Sequence, residues 1–125
     1  MIAALVALQP ADAGAEDLTG YSGVELYKRF CSSCHGARGE GDGPVAPALR
    51  VMVPDLTRLA ERRRGEFPAE AVRRIVDGRE VRAAHGARRM PVWGYEFREA
   101  GASGAEADAL VERLVEYLRS VQRKP

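Results

Sequence analysis

Three residues in the stretch FCSSCHG, Phe30 to Gly36, carry chemistry at close quarters: Cys31 and Cys34 stand three positions apart, and His35 follows directly. A structural zinc site needs four ligands, usually two cysteine pairs or two cysteines with two histidines. The chain holds two Cys and two His in all, so such a site would need His85, with the adjacent Cys34 and His35 bent around one tetrahedral ion. A thioredoxin-like dithiol sits in a βαβ setting, its thiolate helped by the start of a helix. Here a helical pattern precedes the pair and no strand does. A disulfide would close only a tiny loop and save little chain entropy. In the remaining chemistry each thiol adds to one haem vinyl group as a thioether, and the two intervening residues set the span along the porphyrin edge. His35 then lies where its imidazole can reach iron. Cys-x-x-Cys-His is the attachment signal for c-type haem, and this reading uses all three side chains.

The elements that must position these groups read as helices. Ser22 caps a helix with Glu25 completing a capping box, and GVELYKRF puts Val24, Tyr27 and Cys31 along one face, so the helix delivers the cysteines at its far end. GARGEGDGPVAPAL, residues 36–49, is too rich in Gly and Pro to continue a regular helix, and its place directly after the motif favours a structured loop. Thr57 is expected to cap a short basic helix ending before Gly65. A further helix begins near Pro68, buries Val72, Ile75 and Val76, and stops at Gly78. Residues 79–102, with His85, Met90, Pro91 and Trp93, read mostly as loop. Ser103 and Glu106 repeat the capping box, and Ala107, Leu110, Val111, Leu114, Tyr117, Leu118 and Val121 form a broad apolar stripe. No segment alternates with period two. The expectation is one all-α domain of about four helices.

The chain has 125 residues and is 46% hydrophobic, which suits a single core. Three Phe, four Tyr and one Trp are few large rings for that core, and a flat apolar cofactor would supply the missing volume. No apolar run is long enough to span a bilayer. The opening MIAALVALQPADAGAE resembles the end of a secretory signal, with an apolar run Ile2 to Leu8 and small residues at Ala11-Asp12-Ala13 or Ala13-Gly14-Ala15, though without a charged leading segment. Residues 1–19 are therefore expected to be a signal remnant or mobile tail, and 20–125 the folded domain. A net charge of +1 gives no ground for nucleic-acid binding. From Arg58 to Arg89, however, ten Arg stand against five acidic residues, a basic middle that would face an acidic partner or membrane surface, or simply solvent.

Over residues 20–121 the chain resembles the class I c-type cytochromes, small exported monohaem electron carriers. The resemblance implies the cytochrome c-like fold wrapped around one haem c held by Cys31 and Cys34, with an N-terminal helix crossing a C-terminal one. Gly23 and Tyr27 resemble the family's small-residue and aromatic pair on the first helix, and Leu114 and Tyr117 their counterparts on the last. Met90, in RRMPVWG, resembles the Met-Pro loop that supplies the second axial ligand opposite His35; its thioether would raise the potential relative to a second histidine. Met52, in RVMVPDL, is the weaker rival and is expected against a haem edge. His85 would instead give a bis-histidine centre. Pro44 or Pro47 resembles the proline whose carbonyl receives the second N–H of His35, with Pro44 preferred as the nearer. Trp93 is expected to donate its indole N–H to a haem propionate or a backbone acceptor, with Arg79, Arg82 and Arg88 as weaker propionate partners. PDLT, residues 54–57, resembles a recurring segment that passes beneath the haem.

The function so implied is outer-sphere electron transfer in the periplasm by a monomer, between redox protein donors and acceptors, with no catalytic base or nucleophile. The alternatives are a cytochrome subunit of a periplasmic dehydrogenase or oxidase, and a haem enzyme with an open distal site.

Overall fold

The computed structural model describes residues 16–79 and 90–124, and these are helical and irregular with no strand among them. Among the described residues five α-helical segments occur, against the four or so expected: α1 Gly23–Phe30, the single turn α2 Ser32–His35, α3 Ala69–Asp77, α4 Trp93–Glu99 and α5 Gly104–Ser120, with three short 3-10 turns between α2 and α3. None of the described helices is long and apolar enough to cross a membrane.

Both capping boxes form as expected. Ser22 Oγ accepts from Glu25 N–H at 3.4 Å while the Glu25 carboxylate accepts from Ser22 N–H at 2.8 Å, and Ser103 and Glu106 do the same at 3.3 and 2.7 Å. These boxes satisfy the first free N–H groups of the two helices that matter most for the core. α1 buries Leu26 and Tyr27, and α5 buries Ala107, Leu110, Val111, Leu114, Val115 and Leu118. The two helices cross at Gly23, where a Cβ would lie 2.3 Å from the carbonyl oxygen of Arg113 and 3.0 Å from Tyr117 Cβ. The rings of Tyr27 and Tyr117 meet beside the crossing at 5.0 Å. The Arg113 guanidinium donates to the carbonyls of Thr19 at 2.6 Å and Tyr21 at 3.0 Å, fastening the approach to α1. Leu18, ahead of α1, is buried in the core.

α3 runs where its stripe predicts and ends on Gly78 at φ 81°. α4 corrects the reading of residues 79–102 as mostly loop. Its sequence WGYEFRE has no side-chain cap and an early glycine, so propensity gives little sign of it. Tertiary contact holds it instead: Phe97 is buried against the core, and Gly94 lies flush on the end of α3 at Asp77.

The basic helix expected after Thr57 is also corrected. Two 3-10 turns, Leu56–Arg58 and Glu61–Arg63, stand there, and the cap is Asp55, whose carboxylate accepts from Thr57 N–H at 2.8 Å and from its hydroxyl at 2.6 Å. Gln122, just past α5, clasps this segment. Its amide nitrogen donates to the carbonyls of Leu56 and Leu118, each at 2.7 Å, and its oxygen accepts from the N–H of buried Ala60 at 2.9 Å. Arg123 N–H adds a bond to the Thr57 carbonyl at 2.8 Å. Gln122→Ala strands the Ala60 donor and the Leu56 acceptor, and is expected to cost about 1–3 kcal/mol in denaturant unfolding. A midpoint unchanged from the parent would refute the clasp.

Candidate functional site

Cys31 closes α1 and opens α2. Its N–H donates to the Tyr27 carbonyl and its own carbonyl accepts from His35 N–H, both at 2.9 Å. One helical turn therefore separates Cys31 from Cys34, which puts the two thiols on one side of the backbone. Both are free, Cys31 buried and Cys34 half-buried. At Gly36 the chain turns through φ 84°, and the buried Tyr27 hydroxyl donates to the Gly36 carbonyl at 2.7 Å.

The Gly-rich stretch beyond is a structured loop folded back on the motif. Gly41, Gly43 and Val45 donate N–H groups to the carbonyls of His35 at 2.8 Å, Cys34 at 3.2 Å and Ser33 at 3.0 Å. At Gly43 a Cβ would come within 2.4 Å of the Ser33 carbonyl oxygen and 2.6 Å of that of Cys34, so only glycine allows this approach.

His35 is 8% exposed, and its Nδ1 lies 3.2 Å from the carbonyl oxygen of Pro54. A carbonyl can only accept, so Nδ1 carries the proton and Nε2 keeps its lone pair for a ligand. This corrects the expectation of Pro44. Pro44 is exposed and flanked by the two residues whose N–H groups bond back to Cys34 and Ser33, whereas Leu56 N–H pairs with the Gly39 carbonyl at 2.6 Å and draws the Pro54 segment under the histidine. Burial lowers the His35 pKa and so favours the neutral imidazole, opposed by the bond to Pro54. Burial, with a contribution from Cys34, pushes the Cys31 thiol up to about 12.

Met90 and Trp93 are half-buried and pack against the core cluster. Phe30, the residue before Cys31, meets the ring of Trp93 at 5.1 Å and that of Phe97 at 5.4 Å. This aromatic group links the cysteine end of α1 to the segment bearing Met90. Met52 is 92% exposed on its loop. Arg79 pairs with the buried carboxylate of Asp77, while His85, Arg82 and Arg88 lie outside the described residues. Among those residues, no three His, Cys, Asp or Glu side chains gather as a metal-binding group.

Sequence reasoning missed Pro54 as the partner of His35 and Phe30 as a bridge to Trp93. The PDLT resemblance implies a segment beneath the haem and says nothing of this carbonyl.

The family model for cytochrome c matches residues 22–122, from the cap of α1 to the clasp beyond α5. The chain belongs to the cytochrome c family. No curated protein and no solved structure matches it significantly. Proteins of this family are typically non-catalytic electron carriers that hold haem c covalently through two cysteines. The residues of this cytochrome fit that group: two unpaired thiols one turn apart, and a buried neutral imidazole with one nitrogen already occupied.

Proposed function

We propose that this cytochrome is a periplasmic single-electron carrier whose one haem c is bound by Cys31 and Cys34 and ligated by His35 and Met90. The observation that carries the reading is the bond from His35 Nδ1 to Pro54, made in the same turn that presents both thiols. That bond fixes the ring and raises the basicity of Nε2.

The haem, when bound, supplies one reversibly exchanged electron at iron. The chain's part is to hold and tune. Cys31 and Cys34 provide the thioether anchors, His35 a fixed nitrogen donor, and Met90 a soft, weak sulfur that favours the ferrous state. The apolar surroundings built from Phe30, Trp93 and Phe97 exclude water and disfavour added positive charge, which also raises the potential. Trp93 serves there by packing.

Donor and acceptor are redox proteins, met by a monomer. Much of the basic middle is spent internally: Arg58 pairs with Glu61, Arg73 with Glu70 and Glu112, and Arg74 with Glu70. The exposed corner Arg62, Arg63 and Arg64 remains to steer an acidic surface, as a rate effect that fades with salt.

Redox titration followed by visible spectroscopy tests the ligand set. The oxidised protein is expected to show the far-red sulfur-to-ferric-iron band. Met90→Ala should lose that band, bind carbon monoxide when reduced, and fall in potential by on the order of 0.1 V, within the ~0.8 V range axial ligation covers. Bis-imidazole signatures in the parent would move the assignment to His85.

A further inference from the structure

A thioether is a weak ligand, so its occupancy depends on how well the chain holds it in place. Sixteen residues separate Asp77 from Gly94, and Met90 is among them. The two ends of this stretch are fastened to one another. At the entry, the Asp77 carboxylate is 5% exposed; it accepts from Arg79 N–H at 2.9 Å and pairs with the Arg79 guanidinium, across Gly78 at φ 81°. At the exit, Gly94 is buried directly on Asp77. A Cβ there would stand 3.1 Å from both Cα and Cβ of Asp77 and 3.3 Å from its carbonyl oxygen. Two of those three atoms are backbone and cannot swing aside, so an alanine at position 94 must push α4 from the end of α3 by a few tenths of an ångström, and a larger side chain by more. Met90 lies four residues before Gly94, joined to it through Pro91, whose fixed φ transmits such a shift.

We infer that Asp77 and Gly94 are positioning residues for the axial methionine: their contact closes the neck of the segment that carries Met90 and so sets how firmly its sulfur stays on iron. The inference rests on Met90 being the ligand. Holding Gly94 against Asp77 fixes the base of the short link, residues 91–93, that leads back to Met90. A rigid neck thus lets a weak donor hold its place against stronger competitors.

The test uses the full-length holoprotein, with imidazole as the competing ligand. Gly94→Ala and Gly94→Val, and separately Asp77→Ala, should retain covalent haem but lose far-red band intensity. The imidazole concentration for half-saturation should drop by roughly tenfold for Gly94→Val, the scale seen when groups orienting a metal ligand are removed, and by less for Gly94→Ala. Asp77→Asn keeps an oxygen to accept from Arg79 and should restore most of the parent's resistance. Tyr95→Ala, at an exposed position of the same helix, serves as control and should leave it unchanged. Alanine gains helix propensity over glycine, so Gly94→Ala can weaken ligation without lowering global stability, a split that general destabilisation does not produce. Should Gly94→Val fail to accumulate, Gly94→Ala and the Asp77 pair decide. Parent-like imidazole affinity in those variants, with the band present in the parent, overturns the neck alone. A parent without the band overturns the ligand assignment as well.

Discussion

Cys31→Ser/Cys34→Ser, exported beside the parent, is expected to carry no covalent haem. Serine keeps nearly the same shape, so α2 and its backing loop lose little packing, but a hydroxyl does not add to a vinyl group as a thiol does. Denaturing electrophoresis with haem staining should show the parent coloured and the double variant blank. Each single variant retains one anchor and should give a reduced signal. The effect on folding is also large. Phe30, Trp93 and Met90 are half-buried, and in the proposed holoprotein the haem would add its flat apolar surface to theirs. Without it the double variant should unfold at markedly lower denaturant. A double variant with haem that survives acid extraction would overturn the attachment site.

Gly23→Val should be the most damaging single change remote from the cysteines. The Cβ of any residue at position 23 falls 2.3 Å from the Arg113 carbonyl oxygen, far inside contact distance, and that oxygen belongs to the backbone of α5. Relief requires α1 and α5 to separate, which would expose the Tyr27–Tyr117 pair and the leucines beneath it. Overpacked cores usually lose about 1–3 kcal/mol; a backbone clash at the principal helix crossing belongs at the upper end. Gly23→Ala should already show much of the loss. Gly20→Ala is the matched control, because nothing lies within 4 Å of a Cβ there. Equal unfolding midpoints for the two alanine variants would contradict the crossing geometry.

The features legible in the sequence are those written in side chains at short, fixed spacing. Both capping boxes, the stop at Gly78, the Gly23–Tyr27 face and the cysteine turn are of this kind. The pieces that escaped are made by backbone or by tertiary contact. The partner of His35 is a carbonyl, which every residue owns, and the choice of Pro54 over Pro44 follows from a backbone bond between Leu56 and Gly39. α4 lacks a capping side chain and exists because Phe97 and Gly94 find partners on α3 and α5. Thr57 looked like a cap because it precedes a basic run, yet Asp55 sits two residues earlier with an oxygen that reaches the free N–H groups. Gln122 gave no signal at all, since one glutamine beyond a helix is ordinary until its three partners are in place.

Arg113 reaches back across 94 residues of sequence to grip Thr19. A ribosome adding ~5–20 residues per second takes roughly 5 to 20 s to cover that interval. Until α5 has been synthesised, the first helix lacks its principal partner, and the fold around the cysteines beside it stays incomplete. For the exported holoprotein proposed above, late closure of this kind would leave time for threading across a membrane and for chemical modification of the thiols before the protein shuts around them.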